Sequence, residues 1–549
     1  MTWRDRMPAF SRADVVAAAG IVVLTLVAWA PILAVPGARW WDDWQPFTGF
    51  YASLGMPWLG PVAAALMSAG PAAFTVLGLV ATVAAGWALL RITSRGLGLS
   101  RFEGWVLAAL VTVLPLNAAK VALSILWPYT LSLAVFLIAW AILVGGDRPV
   151  RPGHVRAAVA TVLFVLSFTT ASLLVFIALP VAHLAFLAVD RHAPRLAQLA
   201  RLVARYPYLV LAPFAYQAAK VLFFPISGRW ADYNQFVAWS LPLPRAALAV
   251  VLAGAVLVIT GAVLLAAWWR DPEDPRRPGM RWIPAALLAA AAVVAGAGIW
   301  AARGHGVAAP ALIAVLVIAA AAVLFARAEA VILVAVGLAA LALAVAPYAL
   351  VSKLPTFADF QSRHQLLMPI GVALLVVATL RILGPRLRRP AAAAVIAAAT
   401  LVALSLTLDL VADAHKQQQI TAAFAVDPAI ASARTILLDD QAEAWNAEGR
   451  TQGYPEISGW VTEAVGGSQR LGVALGRLDR LQEGRYDLGI AEMFPDWERD
   501  GPVVVATVTA RPGAAWWDLV LGRPAVDVEV REVAPSLADL ADGPVGARG

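Results

Sequence analysis

Residues 14–44 read DVVAAAGIVVLTLVAWAPILAVPGARWWDDW, and they indicate the class of structure to expect. About 20 apolar residues cross a bilayer as a helix, and the run over 14–36 reaches that length. Basic residues precede it, as in a signal peptide, but the run is long and no clear small-residue cleavage site follows. We expect a retained first membrane helix, followed by a loop with two adjacent carboxylates between tryptophans.

Similar apolar runs recur along the chain as far as Leu410 and then stop. Only 14% of the residues are charged and the mean hydropathy is +0.75. Soluble proteins keep roughly a quarter of their residues charged, so the composition excludes a water-exposed protein of this size. The predicted spans are 14–36, 71–93, 103–119, 128–145, 155–169, 171–189, 207–224, 246–269, 282–301, 308–326, 329–349, 366–384 and 390–411.

Loop charges predict the orientation of these spans. With the N-terminus in the cytoplasm, about 22 cations lie on the cytoplasmic side and about 8 on the other, as the positive-inside rule requires. The region 155–189 is either two short helices broken near Thr169–Thr170 or one kinked helix. Two crossings fit better, because a single crossing would invert every later loop. The sequence therefore predicts a multi-pass cell-membrane protein with about thirteen helices and an extracytoplasmic C-terminus.

The charge balance changes at the end of the last span. Up to Leu410 there are 30 Lys and Arg against 14 Asp and Glu, and after it 12 against 21. The cations lie in short loops between apolar spans, which indicates a solvated cytoplasmic face and no nucleic-acid partner. The absence of cysteine excludes disulfides and thiolate sites. We predict an all-α polytopic membrane domain over 1–411 and a soluble α/β domain over 412–549.

The soluble part shows short apolar runs typical of strands and two longer helical stretches. Asp439–Asp440, after the first strand, is interpreted as a turn and cap, and Trp516–Trp517 as a packing contact. Strands are predicted at 434–439, 486–490, 503–509 and 526–533, and helices at 412–424 and 456–481, the second broken at Gly466–Gly467.

Polar residues of the outer loops are the candidates for chemistry. Acidic residues beside a bilayer are costly, so Asp42 and Asp43 predict a general base or cation site, with a helix cap or a solvated loop as the structural alternative. An arginine such as Arg363 can bind a phosphate through two parallel hydrogen bonds. The alternative role for these polar residues is to anchor the chain at the membrane interface. The candidate substrate-binding residues are Trp44, Lys120, Tyr129, Arg229, Asp232, Arg363 and His364.

This arrangement resembles the GT-C superfamily of polytopic membrane glycosyltransferases. The resemblance covers residues 1–411 and rests on the many helices, the cytoplasmic N-terminus, the outer domain and the pair Trp41-Asp42-Asp43-Trp44 in the first outer loop. It implies sugar transfer from a polyprenyl-phosphate-linked donor to a glycan or lipid acceptor at the outer face, in cell-envelope polysaccharide or glycolipid assembly.

The resemblance also implies roles for residues. Asp43, or else Asp42, would act as base, and Arg363 with Lys120 or Arg229 would neutralise the leaving phosphate. Members often carry a second outer acid and sometimes a divalent metal, for which Asp232 and Asp359 are the candidates. The cofactor is therefore unknown, with a divalent cation allowed. The six histidines show no ligand spacing and predict no metal site.

Two other classes of function stay open. A transporter or flippase of lipid-linked glycans should carry ionisable residues at the membrane midplane, where His183 is the main candidate. A non-catalytic membrane scaffold would use its outer domain to bind a partner. An outer cavity lined by Asp42, Asp43 and Arg363 would favour the enzyme.

Overall fold

A computed structural model shows how the chain folds. The structure describes residues 12–44, 47–96, 99–117, 120, 124–145, 153–187, 200–201, 203–227, 328–350, 360–383, 385–467 and 470–542. The predicted spans 246–269, 282–301 and 308–326 lie outside these residues, so the count of thirteen helices is not confirmed.

Apolar helices make up most of the described residues before the C-terminal sheet. Among the described residues, four are long and apolar enough to cross a membrane, at Arg12–Ala34, Ala73–Thr93, Ser124–Val144 and Pro385–Val426. The helices are α1 Arg12–Trp29, α2 Phe47–Ser53, α3 Leu59–Ser68, α4 Ala73–Gly96, α5 Arg101–Val113, α6 Trp127–Val144, α7 His154–Ser167, α8 Leu173–Phe176, α9 Ala178–Leu187, α10 Pro207–Phe223, α11 Ala328–Leu350, α12 Met368–Ile382 and α13 Pro385–Val426.

The predicted span 103–119 is wrong at its end. Helix α5 stops at Val113, and Leu114 has an extended ψ of 132°. Leu114 precedes Pro115, whose ring disfavours helical backbone at the preceding residue. The apolar residues that follow therefore form a loop at the end of the bundle.

The ambiguous region 155–189 is broken where the sequence placed the break. Helix α7 ends at Ser167 and α8 begins at Leu173, with turns between them. The Oγ atoms of Ser132 and Thr169 lie 2.7 Å apart, so the break is tied to helix α6 by a hydrogen bond.

Helix α13 continues past the predicted end of the last span at 411. Its 42 residues run to Val426, a length of about 63 Å at 1.5 Å per residue. Asp413, Lys416 and Gln417 are buried on this continuation. The boundary predicted between 411 and 412 therefore falls inside one helix that both parts of the chain share.

A four-stranded sheet forms the core of the C-terminal domain, the predicted soluble domain. Its strands β1 Thr435–Asp440, β2 Leu471–Ala474, β3 Val503–Ala510 and β4 Val526–Ala534 lie in the order β2-β1-β3-β4. Strand β1 is parallel to β2 and β3, and β4 is antiparallel to β3. Ile436 and Leu438 of β1 pack on one face and Leu437 on the other, so both faces are covered. The elements are α14 Pro428–Ser432, β1 Thr435–Asp440, α15 Tyr454–Val465, β2 Leu471–Ala474, α16 Leu478–Gln482, α17 Asp487–Met493, β3 Val503–Ala510, α18 Trp516–Val520 and β4 Val526–Ala534.

The predicted strand 486–490 is part of a helix, and the strand β2 lies where a helix was predicted. Residues 486–490 enter α17, because Tyr486, Ile490 and Phe494 recur every four residues and pack on one cluster. Strand β2 lies inside the predicted helix 456–481. A Cβ on its Gly472 would lie 2.4 Å from Ile457 of α15, so the absence of a side chain lets strand and helix approach.

Candidate functional site

A single 3₁₀ turn, Trp41–Trp44, carries the acidic pair, and we call it the acidic turn. The Asp43 amide donates to the Trp40 carbonyl at 3.0 Å. Trp41 has a φ of +47°, in the left-handed region that bulky side chains rarely adopt. A conformation of this kind costs about 1–3 kcal/mol and persists only when its surroundings hold it.

Asp43 is held by the backbone of the loop before α6. One carboxylate oxygen accepts from the Ile125 amide at 2.6 Å, and the other accepts from the Ser124 amide at 3.0 Å and more distantly from Trp40 at 3.4 Å. The side chain is 4% exposed. Asp43 therefore satisfies amides at the start of a helical turn, as a cap does. This contact joins the acidic turn to residues 124–126.

Tyr51 adds a second link to the same loop. Its hydroxyl donates to the Ile125 carbonyl at 2.9 Å, and its ring meets that of Trp127 edge-on at 6.5 Å. Burial and the nearby Asp43 carboxylate raise the pKa of Tyr51, so its hydroxyl stays protonated. Tyr129 packs against the same apolar cluster, which contains Trp40, Tyr51 and Trp127.

Lys120 lies in the loop between α5 and α6 and is 8% exposed. Its Nζ donates to the Thr112 carbonyl at 3.3 Å and lies 4.4 Å from the ring centre of Trp29. Burial lowers the pKa of Lys120 to about 7. A phosphate bound beside Lys120 would supply an opposite charge, which favours the protonated form of the amine.

Residues 360–365 form a 3₁₀ turn that carries Arg363 and His364. Both side chains are buried, and the ring of His364 lies 4.8 Å from that of Tyr348. The next residue, Gln365, accepts a hydrogen bond from the Asn117 amide at 3.2 Å through its Oε1. This bond joins the turn to the loop that carries Lys120. The predicted residues at 43, 120, 129 and 363–364 therefore belong to segments that contact one another.

Several predicted residues lie beyond what the structure describes: the Asp42 side chain, Arg229, Asp232 and Asp359. Across the described residues, no group of three or more His, Cys, Asp or Glu side chains is suited to hold a metal ion.

The soluble domain also contacts the acidic turn. The guanidinium of Arg450 lies 4.3 Å from the ring centre of Trp41. Trp44 lies over Gly459 of α15, where an added Cβ would be 2.2 Å from its ring, and Arg39 lies 5.1 Å from that ring. Trp44, predicted to bind substrate, is therefore packed between a glycine and a cation. The sequence prediction missed Arg450 and Gly459, although a glycine inside a helical pattern indicates close approach.

Arg450 itself is fixed by two carboxylates. It donates to both oxygens of Glu456 at 2.6 and 2.7 Å and to Asp413 of α13 at 3.0 Å. Burial acts to lower the pKa of Arg450, but Glu456 and Asp413 outweigh it and raise the pKa. The guanidinium thus links α13, α15 and the acidic turn as a permanent cation.

A second buried cation, Lys416, lies on α13 about one turn beyond Asp413. Its Nζ is 2.7 Å from both carboxylate oxygens of Asp440, and equally close to the Ala442 carbonyl and the Asn446 Oδ1. Asp440 also accepts from the Ala442 amide at 3.1 Å. The pair Asp439–Asp440 therefore includes a structural anchor, in agreement with its interpretation as a turn device.

An open apolar groove of about 530 Å³ is lined by small and aliphatic residues from Ala69 to Val80. Its Leu77 packs on the cluster that contains Trp40 and Tyr51. Pro71 meets the loop before the turn, since a Cβ on Gly37 would lie 2.9 Å from its Cβ.

Comparison with known proteins gives one match. No family model matches the chain, and no curated protein does so either. The crystal structure of the Archaeoglobus fulgidus oligosaccharyltransferase complex with Zn and sulfate matches with a TM-score of 0.37 and 12% identity, over 89% of this chain and 67% of that chain. A TM-score of this size is too low to transfer residues or chemistry between the two chains.

Proposed function

We propose that this chain is a membrane glycosyltransferase of the GT-C kind, which transfers a sugar from a polyprenyl-phosphate carrier to a glycan or lipid acceptor at the outer face of the membrane. The convergence of three distant segments carries the proposal. Asp43 accepts from the amides of Ser124 and Ile125, and Gln365 accepts from that of Asn117. A carboxylate pair, a buried amine and a buried guanidinium thus belong to one connected set of loops.

In this proposal the two aspartates have different roles. Both oxygens of Asp43 accept hydrogen bonds from backbone amides, so Asp43 is a positioning residue that fixes the turn. Asp42, the other carboxylate of the turn, takes the role of general base. It accepts the proton of the acceptor hydroxyl as that oxygen bonds to the anomeric carbon. The bond from this carbon to the phosphate oxygen breaks, and its electron pair leaves with the phosphate.

The leaving phosphate needs cations, and the connected loops carry them. Lys120 and Arg363 are both 8% exposed, in surroundings where a charge interaction is stronger than in water. Their role is to stabilise the charge that develops on the phosphate oxygen. The apolar groove from Ala69 to Val80 offers a place for the isoprenoid chain, and its Pro71 lies close to Gly37 in the loop before the turn.

A sugar-transfer assay tests the proposal. Purified protein in lipid nanodiscs is given a radiolabelled polyprenyl-phosphate sugar and the host's own membrane glycolipid and polysaccharide fractions as acceptors. Asp42→Asn should lower transfer by about 10²–10⁴-fold, the usual contribution of general-base catalysis, with an unchanged unfolding temperature. The matched control is Asp500→Asn, at an exposed site of the soluble domain, which should leave both unchanged. Full transfer by both Asp42→Asn and Asp43→Asn would overturn the mechanism.

The transporter alternative depends on ionisable groups within the spans. His183, its main candidate, accepts a hydrogen bond from the indole nitrogen of Trp140 at 3.1 Å. This contact gives the imidazole a packing role between α6 and α9. Movement of labelled lipid across a vesicle membrane without transfer of its sugar would favour the flippase over the enzyme.

A further inference from the structure

A second groove, of about 790 Å³, lies between the first turns of α1, the end of α4 and the start of α5. We call it the arginine groove, because Arg12, Arg91 and Arg101 line it together with Trp87 and Trp105. Arg12 and Arg101 are exposed and Arg91 is half-buried beside Trp87, whose ring centre lies 5.5 Å from its guanidinium. The loop charges assign this end of the bundle to the cytoplasmic side.

The groove is formed by close helix contacts that leave one side open. The Trp105 indole donates to the Ala17 carbonyl at 3.2 Å, which joins α5 to α1. A Cβ on Gly104 would lie 2.6 Å from the Thr93 Oγ1, which brings α5 against α4. At the groove, Ser100 caps α5 and pairs with Glu103, so the start of that helix is fixed.

The net charge of the groove is positive. Asp14 is the acidic residue among those that line it, against three arginines. Glu103 lies next to the groove, but Arg381 binds both of its oxygens at 2.7 and 2.9 Å and Arg388 lies 3.7 Å away. Because Glu103 is neutralised from α12 and α13, it does not cancel the charge of the groove arginines.

The floor of the groove is apolar and continues onto a lipid-facing surface. Val16, Leu90 and Phe102 line it, and Val15, Val16 and Val23 of α1 are more than half exposed. Guanidinium groups above an apolar floor between membrane helices match a lipid, which carries a phosphate on apolar chains, and basic pockets of this kind bind anionic headgroups. We propose that the arginine groove binds an anionic phospholipid of the cytoplasmic leaflet. This site is independent of the proposed sugar transfer at the other end of the bundle.

Native mass spectrometry of the purified full chain tests the site, with phosphatidylglycerol, phosphatidylcholine or inorganic phosphate added. The double variant Arg12→Gln/Arg101→Gln removes two exposed cations from the groove. The matched control Arg386→Gln/Arg389→Gln removes two exposed cations at the start of α13 that do not line the groove.

We expect the wild type to retain phosphatidylglycerol in preference to phosphatidylcholine. The groove variant should bind phosphatidylglycerol about tenfold or more weakly, from the loss of two arginines near a headgroup, whereas the control should change less than about twofold. Equal loss in both variants would assign the effect to net charge and overturn the site. Equal retention of phosphatidylcholine, or displacement of the lipid by equimolar inorganic phosphate, would also overturn it.

Discussion

Arg450 of the soluble domain lies with its guanidinium 4.3 Å from the ring centre of Trp41, in the acidic turn of the membrane domain. The same guanidinium is bound by Glu456 and by Asp413 of α13. The turn is thus enclosed from two sides, by the loop before α6 and by the soluble domain. This enclosure explains how Trp41 keeps its left-handed backbone.

Arg450→Lys tests whether the planar guanidinium is required. A lysine keeps the charge but loses the two parallel bonds to Glu456 and the stacking on Trp41, so we expect a loss of about 1–3 kcal/mol in the free energy of unfolding. Tryptophan fluorescence during thermal unfolding in detergent measures it. The control Arg485→Lys, in an exposed pair with Glu483, should stay within about 0.5 kcal/mol. Equal shifts in the two variants would contradict the assigned role.

Gly459→Ala tests the packing of Trp44 against α15. An alanine Cβ would lie 2.2 Å from the indole, so Trp44 must move, and we expect overpacking to cost about 1–3 kcal/mol. Gly476→Ala is the matched control in the same domain, since no heavy atom lies within 4 Å of its added Cβ. The double variant Trp44→Ala/Gly459→Ala should show non-additive stability, because the two residues are in contact. Strict additivity would exclude the contact.

Lys416→Met should lower the free energy of unfolding of the soluble domain. It leaves the Asp440 carboxylate buried with its cation removed, which typically costs about 3–5 kcal/mol. A denaturant titration followed by circular dichroism measures the change in the free energy of unfolding. Adding Asp440→Asn to Lys416→Met should recover part of the loss. No recovery in the double variant would show that the pair does not act as a unit.

Lys120 should make stability depend on pH. Burial lowers its pKa from 10.5 in the unfolded chain to about 7, so between these values the unfolded chain holds a proton that the folded protein has released. The free energy of unfolding therefore rises with pH across this window. Lys120→Met removes the buried charge, so its gain over the wild type should be larger at pH 6 than at pH 9, measured by unfolding midpoints.

Lys120→Arg serves as the control for that experiment, because arginine stays charged at both pH values. Its stability relative to the wild type should fall from pH 6 to pH 9 by about as much as that of Lys120→Met, because only the wild type titrates at this position in the window. A gap between Lys120→Met and the wild type that is equal at both pH values would refute the buried-amine explanation.

Hydropathy predicted most of the membrane helices among the described residues, since span length and apolar content follow from bilayer thickness. The end of α5 was misplaced because apolar residues continue past Pro115, and only the backbone clash at Leu114 stops the helix. The strand at 471–474 was missed because four residues carry too little pattern to outweigh the helical stretch around them.

The candidate site was predicted as residue types and not as contacts. The pair Asp42–Asp43 stood out as charge beside a bilayer, but its sequence did not indicate that Asp43 bonds the amides of Ser124 and Ile125. Arg450 and Gly459 lie more than 400 residues from the acidic turn in the chain, and no local pattern reports such a contact. Periodicity describes which face of an element is buried and says nothing about which distant segment covers it.

The uninterrupted course of α13 from Pro385 to Val426 has a mechanical consequence. Each residue inserted into a helix turns everything beyond it by about 100° and lifts it by 1.5 Å. One extra alanine near position 405 would swing Arg450 and Gly459 away from Trp41 and Trp44, whereas seven extra residues, close to two full turns, would restore their azimuth at a greater height. The phase of this long helix thus dictates which side of the C-terminal domain faces the tryptophans.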